Sequence, residues 1–338
     1  VVFTGYYGVS DSVVNMVIPR LLLERGHKVI TLSHLPAHDL DLSEDYPNLY
    51  WPFGQHILSG AKLVAHHPNL YAVYLTNHGC GPDTMLSYLF RKEMGDKPYL
   101  QIEVDEHFSP VGVITRIEAF LQSLEGRPAQ PLPAGFSLTS VVHRPTAVAA
   151  VPERTGGPLL VPDLPPFTAY LRAYCEAAWE TETRTLRLDS TTLPLGRAET
   201  SSKEYLPFPA LLGGVLTAAE AESGPFQVLL PSTQGAEADG QYPWGVETVL
   251  ERQGLCRVKV IAPELETLPE RCPEPDLLFR AVIVGDLLLC APPEQRDALA
   301  PAGVPGWAEL ETLAAHIGAI PPEGRTLGIV GAPFTLFT

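Results

Sequence analysis

Nine of the chain's 34 prolines fall between Gly126 and Pro166. Each removes a backbone donor and restricts the residue before it, so no long helix crosses this stretch. The 338-residue chain is thereby divided. A first lobe is expected over 1–124, a Pro-rich linker over 125–156 and a second lobe over 157–338. Both lobes are of ordinary domain size.

Before the break, short apolar runs alternate with helical patterns. Strands are expected at Val1–Thr4, Lys28–Leu32, Leu70–Thr76 and Tyr99–Val104. Helices are expected from Ser10 or Asp11 to Arg25, and over Gly54–His67, Thr84–Glu93 and Val111–Leu124. The last of these places Val113, Ile117, Phe120 and Leu124 on one face. Pro36–Pro52 is polar and irregular. After the break the rhythm returns, with strands at Leu159–Val161, Thr185–Leu188, Gln227–Leu230, Arg257–Ile261 and Thr326–Val330. Helices are expected over Phe167–Glu180, Leu206–Ser223, Tyr242–Gln253, Leu277–Leu289 (buried) and Trp307–Ile317. Strands alternating with helices at this spacing imply an α/β fold. The expected architecture is two Rossmann-like lobes with mainly parallel sheets, joined by the Pro-rich segment.

Composition narrows the function classes. The net charge is −16, which argues against a nucleic-acid partner, because neutralising phosphates needs an excess of Lys and Arg. The five cysteines, Cys80, Cys175, Cys256, Cys272 and Cys290, form no C-x-x-C pair and no even disulfide framework. A reduced, cytoplasmic protein is expected. The longest apolar runs, such as Ala281–Ala291, are too short to span a bilayer, so no membrane partner is expected. The N-terminus has no basic targeting region. The chain does not begin with Met, as expected of either a fragment or a processed chain. There is no G-x-x-x-x-G-K-[ST], no G-x-G-x-x-G after a strand and no G-x-S-x-G, so no bound nucleotide and no intrinsic ATPase are expected.

Three segments fall where ligands bind in open α/β sheets, at the carboxyl ends of strands. Thr76–Thr84 carries Asn77, Cys80 and Asp83 in a Gly-flanked turn before a helix. Its thiol reads either as a metal ligand or reactive group favoured by helix N–H groups, or as a buried cysteine in a tight turn. Glu103–His107 sets Glu103, Asp105 and Glu106 beside His107, a set suited to acid–base or metal chemistry or to a solvated, capping loop. Ser202 and Lys203, before a helix opened by Pro207, could hold an anion or simply cap that helix. His66-His67 reads as a surface pair.

These segments resemble the large activase-related proteins of the 2-hydroxyacyl-CoA dehydratase group. The likeness rests on Thr76–Thr84 (TNHGCGPDT), Tyr99–Phe108 (YLQIEVDEHF) and Ile114–Leu121 (ITRIEAFL). It continues more weakly but in order through Ser202–Phe208 (SKEYLPF), Leu230–Gly235 (LPSTQG), Gly240-Gln241-Tyr242 and Leu327–Gly331 (LGIVG). The resemblance implies α/β lobes, a [4Fe-4S] cluster held where lobes meet and an ATP-dependent activator or dehydratase subunit as partner. That activator carries the nucleotide site.

The chain departs from the family pattern at its ligand positions. The family has K-E-C-L-P-F where this chain has Tyr205. It has G-P-C-R-F-G-Q-Y where this chain reads Gly235 to Tyr242 with Glu237 in place of the cysteine. Only Cys80 remains of the family's thiolates, and a phenol and a carboxylate replace soft ligands poorly. Cys175, Cys256 and Cys290 lie in apolar contexts, and Cys272 in a Pro-rich loop. The terminal G-E-I-Y-V-R run gives way to Gly331-Ala332-Pro333-Phe334. Three functions are left open: a docking or scaffold module that has lost its cluster, an electron-transfer or acyl-CoA dehydratase component using Cys80 with a partner's ligands, and an acyl-CoA or small-molecule binding module. In the last, Asn77, Asp83, Glu106, His107, Ser202, Lys203 and Gln241 would line the site, and Lys203, Arg116 or Arg197 would offset the negative charge of CoA.

Overall fold

The computed structural model describes residues 2–5, 18–43, 45–46, 49, 51–76, 81–104, 109–127, 129–132, 134–137, 149–154, 156–201, 204–232, 238–263 and 273–320. The chain forms a mixed α/β fold in two compact units. One comprises Val1–Ala147, Ser201–Glu204 and Gln234–Thr248, and the other Val148–Thr200, Tyr205–Thr233 and Val249–Thr338. Two segments from beyond the Pro-rich stretch thus belong with the first unit, and one of them carries Gln241.

The first unit holds the strands β1 (Val2–Gly5), β2 (Ile30–Thr31), β3 (Ala72–Thr76) and β4 (Leu100–Glu103), in the order β2-β1-β3-β4. All neighbours are parallel. The helices are α1 (Ile18–Glu24), α2 (Pro52–His66), α3 (Asp83–Met94) and α4 (Pro110–Leu124). β3 is buried along its whole length, as expected of a central parallel strand. Its alternation sends Val73 and Leu75 into a core with Ile18 and Leu22 of α1 and Val113, Ile117 and Phe120 of α4. Tyr74 points the other way and stacks on Phe90 of α3, ring centroids 4.5 Å apart. The expected apolar face of α4 is therefore the packed one, with Leu124 at its edge.

Of the stretch 36–52, the described residues open with a short 3-10 helix at Pro36–Asp39 and are not polar throughout. Leu42, Tyr46, Leu49 and Trp51 are buried, and Asp45 accepts a 2.5 Å ion-pair hydrogen bond from Lys62 of α2, both side chains being buried. Apolar residues in a backbone without a repeat have no period to read, so composition alone misjudged this stretch.

The second unit repeats the sheet. β5 (Leu159–Pro162), β6 (Thr183–Leu186), β7 (Phe226–Leu229) and β8 (Val258–Ile261) run parallel in the order β6-β5-β7-β8. Its helical complement is α5 (Thr168–Trp179), α6 (Leu193–Glu199), α7 (Pro207–Ala221), α9 (Pro275–Cys290), the short α10 (Arg296–Leu299) and α11 (Trp307–Gly318). The helix α8 (Tyr242–Arg252) starts within the 234–248 segment of the first unit. Leu159, Val161, Tyr170, Tyr174, Val284 and Leu288 share one core. β6 begins two residues before its expected start, because Thr183 and Arg184 already pair with Leu159 and Leu160 of β5. α9 is not buried all round. It hides Ala281, Val284, Gly285 and Leu288 and exposes Phe279 and Val282.

The sequence gives no sign of α6, whose role is a close helix crossing. A Cβ on Gly213 of α7 would lie 2.2 Å from the Thr192 carbonyl oxygen, and one on Gly196 of α6 1.8 Å from that of Pro209. Only glycine permits this approach.

The Pro-rich stretch is fastened near its end. Ala149 bridges to Ile261 beside β8, and buried Gln227 of β7 accepts the Glu153 N–H at 2.6 Å and donates to the carbonyls of Glu153 (2.9 Å) and Gly157 (3.2 Å). The expected strand Thr326–Val330 lies outside the described residues. Among those residues no helix is long and apolar enough to cross a membrane.

Candidate functional site

In the strand order β2-β1-β3-β4 the winding direction reverses between β1 and β3, and in parallel sheets ligands bind beyond the carboxyl ends of the strands at such a point. The described residues at that end include Gly5 of β1, Thr76, Gly81, Pro82 and the first turn of α3. Gly81 has φ +56°, a conformation other residues rarely adopt, and its carbonyl accepts the Thr84 N–H at 3.2 Å. The chain is thus turned sharply from β3 into α3.

Asp83, the first residue of α3, is buried, and a carboxylate there is favoured by the helix dipole. The Tyr74 hydroxyl donates to its Oδ1 at 2.9 Å. Burial raises the Tyr74 phenol well above its ordinary pKa, and the charge of Asp83 and the bond to it raise it further. The phenol therefore keeps its proton and remains a fixed donor to Asp83. Behind it, Ser87 accepts a 3.1 Å bond from Gln101 Nε2 of β4. A packed aromatic ring and a polar chain together hold one carboxylate in a set orientation.

The turn Ala238–Gln241 packs on α3, and the Tyr88 hydroxyl donates to the Gly245 carbonyl at 3.2 Å. Thr84 Oγ1, Gln241 Oε1 and Trp244 Nε1 are buried without a hydrogen-bond partner. Thr84 and Gln241 are at most 1% exposed. Each such group costs about 1–3 kcal/mol if left unsatisfied. The group comprises one hydroxyl, one acceptor and one donor, on the packed segments that also carry the Asp83 carboxylate. This chemistry suits a small polar molecule with both donors and acceptors.

Asp83 and Gln241, widely separated in sequence, thus belong to one unit and to packed segments. Asn77, Cys80, Glu106, His107, Ser202, Lys203 and Glu237 lie outside the described residues. Tyr205 is 43% exposed beside the start of α7. Tyr74, Thr84 and Trp244 were missed by sequence reading. Strand alternation held the signal for Tyr74: it faces opposite to Val73 and Leu75, toward the helix that begins at Asp83.

The described residues do not fit an iron–sulfur cluster. Cys175 is buried in the core of the second unit, and Cys256 and Cys290 are exposed despite their apolar sequence contexts. Among the described residues no group of three or more His, Cys, Asp or Glu side chains could hold a metal ion. No family model, curated protein or solved structure matches the chain.

Proposed function

We propose that this chain is a divergent module of the 2-hydroxyacyl-CoA dehydratase and activase-related group, made of two Rossmann-like lobes. It serves as a docking or scaffold unit in an ATP-driven redox assembly and has given up its own cluster. The observation that carries this reading is Tyr205. At the position of a ligand cysteine in the SKEYLPF segment stands an exposed phenol, a hard and weak donor for iron. The test is iron and sulfide analysis after anaerobic purification. The reading expects neither above trace amounts; near-stoichiometric iron and sulfide with a visible charge-transfer band defeats it. In that case the electron-transfer role of Cys80 with a partner's ligands stands, and Cys80→Ala abolishes the band.

The buried Asp83, Thr84, Gln241 and Trp244 groups favour a second reading, an acyl-CoA or small-molecule binding module. Their mixed donors and acceptors suit the amide-rich pantetheine portion of a CoA ester better than its phosphates, which Asp83 would repel. Thermal shift with CoA esters separates the two readings. Stabilisation that disappears in Gln241→Leu supports binding, and no shift in the unaltered protein favours the scaffold.

A further inference from the structure

The Pro-rich stretch is also fastened near its start, by a different kind of contact. α2 ends at His66, and His67 follows as its cap, its N–H donating to the carbonyls of Leu63 (3.1 Å) and Val64 (3.2 Å). The His67 ring turns back so that Nδ1 accepts the Asn69 N–H at 3.1 Å. This bond requires a bare Nδ1 and places the ring proton on Nε2. Asn69, oriented by that bond, pairs with the backbone of Gln130 in both directions. Its Nδ2 donates to the Gln130 carbonyl at 2.8 Å, and its Oδ1 accepts the Gln130 N–H at 2.7 Å. The His67 ring itself meets Phe136 edge-on at 5.3 Å. Among the described residues of 129–137, Phe136 is half-buried and the others are exposed.

We propose that neutral His67 is the latch of this strap, and that its protonation releases the described residues 129–132 and 134–137 from their contacts in the first unit. A proton on Nδ1 turns the acceptor into a donor facing the Asn69 N–H. The turn that presents the Asn69 amide to Gln130 then loses its shorter bond and keeps the long 3.4 Å one from the Leu70 N–H to the His67 carbonyl. One backbone hydrogen bond favours the imidazolium, and two larger effects, burial and the Lys97 charge, oppose it. From the turn after α3, the Lys97 ammonium donates to the His67 carbonyl and, at 2.6 Å, to that of Val64. On the ring's own helix, Lys62 is bound to Asp45, and His66 directs its Nδ1 to the Lys62 carbonyl at 2.8 Å. From the strap, the described residues Ala129 to Leu132 and Ala134 to Ser137 bring no titratable side chain. Burial and the Lys97 charge accordingly hold His67 below its ordinary pKa. The strap opens on acidification, as the ring charges in the released state.

The test is amide hydrogen exchange of the full chain at about pH 7.5 and about pH 5.5, corrected for the intrinsic pH dependence of exchange. The Gln130 amide should lose protection by up to about tenfold at the lower pH, the ceiling set by a pH one unit below the ordinary histidine pKa. Amides of β3 and α2 should keep theirs. His67→Asn sets a carbonyl oxygen near the place of Nδ1 and cannot titrate, so its Gln130 protection should not change with pH. Asn69→Ala should expose Gln130 at both pH values. The inference is overturned if protection is flat in the unaltered protein, if the pH effect persists in His67→Asn, or if Gln130 stays protected in Asn69→Ala.

Discussion

The first unit buries Asp45, Lys62, Asp83 and Glu204, whereas the buried polar side chains described in the second are Thr168, Thr183, Thr192, Gln227 and Ser232, none of them charged. Yet the two units carry the same parallel strand order. Nothing in a parallel sheet asks for buried charge, because its faces are closed by apolar helices. The charged interior is therefore an addition to the fold. In the first unit it serves three ends: Asp45 and Lys62 tie the segment before α2 to that helix, Asp83 stands at the strand end, and Glu204 accepts the Ser201 N–H and hydroxyl. The second unit spends its special residues on close packing instead, with glycines at the α6–α7 crossing.

The two interiors should then fail in different ways. Lys62→Met leaves the Asp45 carboxylate buried without its cation, and should cost about 3–5 kcal/mol in denaturant unfolding. The double variant Asp45→Leu with Lys62→Met removes both charges and should recover much of that loss. If the double variant is as unstable as the single, charge is not the cause. In the second unit the failure is steric. Gly213→Val drives a branched side chain into the Thr192 carbonyl and should cost about 1–3 kcal/mol or somewhat more. No charge change rescues it. A destabilisation under about 0.5 kcal/mol, the range of ordinary surface changes, would show that the helices separate freely.

The sequence revealed the repeated sheet because each buried parallel strand is a short apolar run bounded by turn residues. Val73 with Leu75, and Leu159 with Val161, carry that signal without help from tertiary contacts. It revealed part of the site, since Asp83 follows a Gly-Pro turn at a strand end. It did not reveal that Gln241 belongs to the first unit. That membership depends on the turn 238–241 packing on α3, and no local pattern encodes it. Tyr74 was hidden for a related reason: in an apolar strand a tyrosine reads as hydrophobic bulk, while its hydroxyl matters only once Asp83 is placed. His67 looked like a surface residue because its work is done through Nδ1 and a backbone N–H two residues away.

Tyr74→Phe sharpens the comparison within the site. It keeps the ring on Phe90 and withdraws one donor from Asp83, so it should cost about 1–3 kcal/mol. Asp83→Asn in the Tyr74→Phe background should cost less than Asp83→Asn alone, because the two share one interaction. Additive effects in this cycle would mean that tyrosine and aspartate are not coupled.

The smallest expected effect is a pH dependence assigned to the first unit. Burial lowers the Lys97 pKa from 10.5 to about 8. Between those values the unfolded chain binds a proton that the folded chain has released, so stability should rise with pH across the interval. The buried Tyr46 and Tyr74 phenols, and the partly buried Tyr99, are shifted upward from 10.0 by burial. In the unfolded chain they ionise first, and stability falls once the pH passes about 10. The Lys97 contribution is therefore read between about pH 8 and about pH 9.5. Because the side chain is half-exposed, the slope should be a fraction of a proton. Lys97→Met should flatten it, at the cost of the bonds to the Val64 and His67 carbonyls. A fall in stability over this range in the unaltered protein would mean that those two carbonyls stabilise the ammonium more than burial opposes it, and the sign assigned to Lys97 would reverse.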